Sequence, residues 1–440
     1  MSAQPIDSGQ VLQQLPQSLQ KWLDLERFHL HRTDVFQNLA RDPEFDTRYL
    51  PQNCGAVELP CFWVKRKHLL LWGRMADSSP WGLCSGDGPD EQVLFPIHPM
   101  CVASYREFLS QVGASDAGKD GVRIWGVPTS SIRTMLAWPD EAPQKAHFIK
   151  LTLHSPAFGD RRLYTKLIGR SVGLSSVVQR SRALLPASFD FLAEPMGWVP
   201  RSLPDSGVLI RSIPQEIKDG RVLLAPLFSL MGTSGNRLPL LLTLLERNRM
   251  QLRDFLQEAL CAPFARLWLE MSLKFGIVLE AHGQDLMLAL SPALAHEGRI
   301  FYRDFEGVQM DWELRHRLGM PAPADLPHAW RWRETYGTWG YPLSECLWYK
   351  WKISLFQFMH FVLNELELAA RQWHENGLLN ERAIDEGEIT MMFSRRLTQA
   401  IAELFGVRLR AEYNFYHQLN KFLLLLYGVR KDILLGSASN

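Results

Sequence analysis

Short apolar runs broken by proline and glycine fill the first half of the chain, and longer leucine-rich stretches with helical spacing fill the second. The opening is helical in pattern, from Val11 to Leu30 and again from Thr33 to Leu39. Strand-like runs follow at Ala56 to Trp63, Leu69 to Trp72, Val93 to Ile97, Gly121 to Val127, His147 to Leu153 and Val222 to Leu227. Residues 171–184 read as a helix crossing that sheet. From Pro239 the pattern turns helical, with amphipathic stretches at 239–273, 344–375, 388–404 and 411–427. The segment 275–307 interrupts them as an island of buried strands. The fold class expected from this order is α+β, with antiparallel sheets and a largely helical C-terminal half. Three regions follow: 1–90, 91–235 and 236–440.

Composition narrows the class. A chain of 440 residues is too long for one ordinary core. Forty-eight basic against 47 acidic residues leave a net charge of +1, which speaks against a general nucleic-acid surface. The N-terminal stretch lacks a basic segment followed by an apolar one, and no run approaches the length of a membrane span. Six scattered cysteines without paired spacing point to reduced thiols and no structural zinc. The expectation is a cytoplasmic protein with no membrane or nucleic-acid partner.

Four polar islands carry the candidate chemistry. His98 leaves the strand at Pro96-Ile97-His98-Pro99, held extended by the following proline. By itself it also reads as a turn histidine. Thr129, Ser130, Ser131, Arg133 and Thr134 crowd the turn after Val127, a donor set suited to phosphate oxygens and equally to a helix cap. Lys150 sits among apolar neighbours in its strand, facing either water or an anion, with Arg161 and Arg162 after the next loop. The fourth island is Glu280-Ala281-His282-Gly283-Gln284-Asp285, answered by Arg303-Asp304-Phe305-Glu306-Gly307. Polar groups at the ends of buried strands are costly unless paired, metal-bound or used on a ligand. Glu280, Asp285 and Asp304 are hard oxygen donors that could converge on Mg²⁺ while His282 faces a phosphate; a structural network of ion pairs is the other reading.

His282-Gly283-Gln284-Asp285 with Asp304-Phe305-Glu306-Gly307 imitates the catalytic and metal loops of kinase-like phosphotransferases. Those loops need an asparagine where this chain has Leu290, and no glycine-rich phosphate loop precedes residue 150.

Taken in order, His98-Pro99, Ser131-x-Arg133-Thr134, Lys150 with Arg162, Glu280-Ala281-His282-Gly283-Gln284 and Arg303-Asp304-Phe305-x-Gly307 resemble the IucA/IucC-like family, the synthetases that build siderophores without nonribosomal peptide synthetases. The resemblance spans roughly residues 90 to 430. It implies a cupped hand of thumb, fingers and palm, with a reduced thumb-like region before residue 90, ATP-binding fingers and a palm from 236. It implies an ATP-dependent ligase that adenylates a carboxylate such as citrate or a citryl derivative, releases pyrophosphate, and passes the acyl group to an amine or hydroxyl. Ser131, Arg133, Thr134, Lys150, Arg162, His282 and Gln284 would then bind ATP. Of these, His282, Arg162 and Lys150 would act in catalysis, His98 and Arg162 would hold the carboxylate, and Glu280, Asp285 and Asp304 would hold Mg²⁺. Arg303 would orient the acids beside it. The family usually has asparagine at the position of Asp285, and Met100-Cys101 replace its common residues after His-Pro. A homodimer, a partner synthetase, or a non-catalytic role beside such a synthetase also follows from the resemblance.

Overall fold

A computed structural model describes residues 8–29, 46–73, 84–85, 91–154, 163–232, 238–311, 314–315, 318–320, 354–381, 384–410, 418–419 and 422–423. The expected helix at Thr33 to Leu39, Arg161, Arg162, and almost all of the expected 411–427 helix lie outside them. In chain order the strands are β1 (Val57–Glu58), β2 (Cys61–Lys65), β3 (Leu69–Gly73), β4 (Cys84–Ser85), β5 (Gln92–Pro96), β6 (Ser115–Asp116), β7 (Ile124–Pro128), β8 (Thr134–Pro139) and β9 (His147–Leu151). They continue with β10 (Phe189–Phe191), β11 (Met196–Pro200), β12 (Val208–Arg211), β13 (Leu223–Pro226), β14 (Ile277–Val278), β15 (Leu286–Leu290), β16 (His296–Tyr302) and β17 (Gln309–Met310). The α+β expectation holds. Two compact units divide the chain: 1–179 with 192–223 and 232–237, and 180–191 with 224–231 and 238–440.

The first unit is built on a seven-stranded antiparallel sheet in the order β1-β7-β8-β9-β12-β11-β3 and a four-stranded sheet β4-β5-β2-β6. Alternation decides which residues meet. Met135, Ala137, Ile149, Leu151, Val208, Ile210 and Trp198 turn to one side of the large sheet. They share a core there with Val64, Val93, Leu94 and Phe95 of the small sheet and with Tyr105 and Phe108 of helix α3 (Val102–Gln111). The other side takes Val199 and Leu209, covered by Ile168 and Val172 of α4 (Thr165–Arg180). It also takes Phe148, whose ring meets Trp22 of α2 (Gln17–Phe28) edge-on at 4.8 Å. A shorter helix, α1 (Ser8–Gln13), precedes α2. The helix expected at 171–184 begins earlier and ends at Arg180.

Within this unit Arg211 and Glu194 form a buried ion pair, with Arg211 Nε and Nη2 donating to Glu194 Oε1 at 3.0 and 2.7 Å. The Glu194 backbone N–H donates in turn to Ser175 Oγ of α4 at 2.8 Å. Gly73 ends β3 with φ +85, and a Cβ there would lie 2.0 Å from the Pro195 carbonyl oxygen, so the close pairing of β3 with β11 requires glycine.

The second unit holds a four-stranded sheet, β10-β16-β15-β13, and the two-stranded pair β14-β17. β10 runs parallel to β16, and β15 antiparallel to it. Helix α5 (Leu240–Asn248) is followed by a helical run over 252–274 whose central stretch is α6 (Ala262–Leu269). Pro263 cannot donate a backbone hydrogen bond, and the run widens into a π turn at Leu256–Cys261 just before it. α7 (Asn364–Glu375) follows another π turn at Met359–Leu363, and α8 (Glu386–Phe405) is N-capped by Asp385, whose carboxylate accepts from the Glu388 N–H at 2.8 Å. Phe264 of α6 stacks on Phe358 at 3.7 Å, and both lie against Phe393 of α8. The expected 388–404 helix is present with small changes of boundary, and the 239–273 stretch is helical but broken after Asn248, where Arg249 takes a left-handed backbone.

Cys54, Cys61, Cys101 and Cys261 are buried free thiols. No helix among the described residues is long and apolar enough to cross a membrane.

Removing one partner of a buried ion pair strands the other's charge. Glu194→Ala should therefore lower stability by about 3–5 kcal/mol, read from the urea midpoint, while a paired Glu194→Leu, Arg211→Met variant should regain most of it. A Glu194→Ala midpoint equal to the parent's would remove the pair from the set of core interactions.

Candidate functional site

The sequence-derived residues fall into two sets, one in each unit. In the first unit the Ser/Thr island is the turn of the β7–β8 hairpin. Thr129 closes it, with its N–H and its Oγ1 both donating to the Thr134 carbonyl at 2.9 and 2.8 Å. The Thr134 N–H donates to the Ser131 carbonyl at 2.9 Å. Ser130 and Thr134 are buried, while Ser131 and Arg133 are half-buried at the tip. The Arg133 carbonyl accepts from the Leu151 N–H at 2.8 Å, which fixes the turn against β9. A helix cap is thereby excluded: the Thr129 hydroxyl closes a hairpin turn.

Lys150 stands in β9 directly opposite Thr134 of β8 and Leu209 of β12. Opposed residues in antiparallel strands share a face, so Lys150 and Thr134 lie on the side away from the two-sheet core, together with Phe148. Lys150 is 3% exposed, which rules out the reading of a lysine turned to water.

His98 follows β5 and caps a short turn, its Nδ1 accepting from the Met100 N–H at 3.3 Å. The ring lies edge-on to Tyr49 at 5.4 Å. Its Nε2 is buried with no hydrogen-bond partner among the described residues, and burial pulls its pKa down to about 4. At neutral pH the His98 ring is therefore neutral, and with Nδ1 accepting, its donor is Nε2–H.

In the second unit the two halves of the fourth island are joined. β15 starts at Leu286, opposite Tyr302 at the end of β16, so the preceding Glu280–Asp285 segment and the following Arg303–Gly307 segment leave the same end of this central strand pair. The Arg303 N–H donates to the Asp285 carbonyl at 2.9 Å and its Nε to the Gln284 carbonyl at 2.8 Å. His282 Nδ1 accepts from the Gln284 N–H at 3.2 Å, which leaves the ring's donor at Nε2. Phe361 packs on the His282 ring at 5.1 Å, and Gln357 Nε2 donates to Glu280 Oε1 at 3.4 Å. Asp304 takes a left-handed backbone, φ 77, which aspartate tolerates better than most residues. A Cβ on Gly307 would lie 1.9 Å from Glu280 Oε2, so glycine is what lets the two segments touch.

Tyr302 is one residue that the sequence pattern does not single out. Its ring is fully buried, its hydroxyl donates to the Asp304 carbonyl at 3.0 Å, and the Glu280 backbone hydrogen-bonds the same oxygen. Burial, and then the neighbouring carboxylates of Asp285, Glu280 and Asp304, push its pKa well above the ordinary tyrosine value. All three expected metal ligands thus lie around one phenol. No group of three or more His, Cys, Asp or Glu side chains among the described residues is arranged to hold a metal ion by itself.

No protein-family model and no curated protein matches the chain. Solved structures do match. Aerobactin synthetase IucC from a hypervirulent pathotype of Klebsiella pneumoniae superposes with a TM-score of 0.61 at 16% identity, over 96% of this chain and 75% of that one. The petrobactin biosynthesis protein AsbB from Bacillus anthracis str. Sterne gives 0.62 at 16% identity, over 87% of this chain and 66% of its own. The chain has the siderophore-synthetase fold. ATP-bound IucA from the Klebsiella pathotype also shares that fold, with a TM-score of 0.57 at 15% identity over 90% of this chain and 74% of its own.

Trp22 and Glu26 of α2, outside the siderophore-synthetase motifs, also went unread. Glu26 is fully buried, accepting from Ser130 Oγ at 3.0 Å and from Trp22 Nε1 at 3.2 Å. The signal was present: Leu15, Leu19, Trp22 and Glu26 recur at helical spacing, which puts an acid on the apolar face of the helix.

Between its unfolded value near 6.5 and its folded value of about 4, His98 binds a proton only in the unfolded chain, so stability falls as pH drops through that window. The loss amounts to about 3 kcal/mol. His98→Asn, which keeps an acceptor for the Met100 N–H, should flatten the decline between pH 6.5 and 4 in urea titrations. An unchanged slope would show that His98 is not buried neutral.

Proposed function

We propose that the protein is an ATP-dependent ligase that adenylates a polycarboxylate, citrate or a citryl derivative, and transfers the acyl group to an amine or hydroxyl. The observation that carries the reading is the recurrence of the five motif segments, in order, on a fold shared with an ATP-bound aerobactin synthetase.

In this reading a substrate carboxylate oxygen attacks the α-phosphorus of ATP and pyrophosphate leaves. Negative charge grows on the α-phosphate oxygens, and donors fixed in advance lower the barrier most. Ser131, Arg133 and Thr134 are presented by a hairpin turn whose backbone is already hydrogen-bonded, and Lys150 adds a buried cation on the same sheet as Thr134. His282, with its donor at Nε2, and Gln284 are the second unit's ATP-binding candidates; Arg162, outside the described residues, is assigned the role of a second cation. His98 donates Nε2–H to the acid substrate, with Arg162 as its charged partner. The nucleophile's lone pair then attacks the acyl carbon, the carbon–oxygen bond to AMP breaks, and the nucleophile's proton leaves. No covalent enzyme nucleophile is needed. Glu280, Asp285 and Asp304 would supply the carboxylate oxygens for Mg²⁺, with phosphate oxygens and water completing its shell.

The kinase-like alternative loses support from Leu290, which stands where an asparagine ligand is needed and is fully buried at the end of β15.

Incubation with ATP, magnesium, a panel of polycarboxylates and hydroxylamine should release AMP and pyrophosphate and trap a hydroxamate. ADP as product would indicate phosphotransfer, and no product with any acid would indicate a non-catalytic partner of another synthetase. Arg133→Ala should weaken ATP use by about 1.5–3 kcal/mol, the worth of one charge-assisted contact; an unaltered AMP release rate would take Arg133 out of the site.

A further inference from the structure

We propose that Glu26, on the N-terminal helix α2, is a positioning residue for the phosphate-facing β7–β8 turn. The claim that the turn faces a phosphate rests on the adenylation reading; the claim that Glu26 holds the turn does not. Three observations within the first unit carry it. Glu26 is fully buried, and both carboxylate oxygens are engaged: Oε2 accepts from Ser130 Oγ at 3.0 Å, and Oε1 from Trp22 Nε1 at 3.2 Å. Ser130 immediately precedes the tip that carries Ser131 and Arg133, so the carboxylate grips the turn at its base.

Trp22 lies one helical turn before Glu26 and packs against Phe148 of β9. Phe148 and Lys150 are two residues apart in the same strand and so share a face. α2 therefore brings a buried carboxylate to the side of the sheet where the buried Lys150 stands. A carboxylate taken wholly out of water is costly unless hydrogen-bonded and offset by positive charge. The arrangement explains why an acid occupies an apolar-face position of α2. The neighbouring Arg27 anchors the same helix, its Nε donating to the Pro51 carbonyl at 2.8 Å and its Nη2 to the Cys54 carbonyl.

The test compares Glu26→Ala, Ser130→Ala and the double variant in the full chain. Each single change should raise the KM for ATP about tenfold with kcat within about twofold, and the double should be no worse than the weaker-binding single, because both break one contact. Multiplying effects, or an unchanged KM in both singles, would overturn the proposal. Hydrogen exchange gives a readout independent of activity. The Thr129 and Thr134 amides are hydrogen-bonded within the turn and should exchange about tenfold faster in Glu26→Ala, while Trp198 of β11 stays protected. Equal exchange at all three amides would overturn the proposal even if the parent releases no AMP. Should Glu26→Ala fail to fold, Glu26→Gln, which keeps one oxygen acceptor, should show smaller shifts of the same sign; parental values in it would refute the role.

Discussion

The second unit's polar motifs depend on the hydroxyl of Tyr302. A phenol buried at the end of a strand must find partners or cost stability, and this one finds them in the backbones of two separate segments, at Asp304 and Glu280. The Arg303 guanidinium adds a second tie to the Gln284 carbonyl. Together they turn two loops into one rigid edge on which His282, Gln284 and the acids are displayed. Gly307 is the space that makes the docking fit, and the left-handed Asp304 is the bend that follows from it.

The first unit solves a related problem with a sheet. Its hairpin turn is fixed by its own backbone hydrogen bonds and by Leu151 of the next strand, so the half-buried Ser131 and Arg133 sit on a base with little freedom. Preorganisation of this kind is what charge stabilisation in a transition state requires. The cost is a buried cation at Lys150 and a buried carboxylate at Glu26, both on the helix-covered face of the sheet.

Much of this was legible in the sequence. Short apolar runs punctuated by proline and glycine located β2, β3, β5, β7, β9 and β13, and helical spacing located α2, α8 and the 252–274 run. β8 was hidden because Thr134 belonged to the turn's polar pattern, and β10, β11 and β12 because prolines and glycines around them read as loop. Helix α3 was lost after the His-Pro pair. Among site residues, the strand-end acids stood out because charge in an apolar run is rare. Tyr302 did not, since a single hydroxyl after Ile300 and Phe301 looks like core. Glu26 escaped because an acid in an amphipathic helix is usually taken for its wet side. The three acids of the metal expectation lie near one phenol, Tyr302, whose pKa they help to raise.

The central claim is that a carboxylate is activated by adenylation at these motifs, and isotope transfer tests it most directly. With citrate labelled by ¹⁸O in its carboxylates, hydroxylamine as acceptor and ATP of natural abundance, the attacking oxygen must stay with phosphorus when the acyl–oxygen bond breaks. The account predicts one ¹⁸O in the AMP formed, in proportion to hydroxamate. Label in inorganic phosphate with ADP as co-product, or unlabelled AMP, would contradict it.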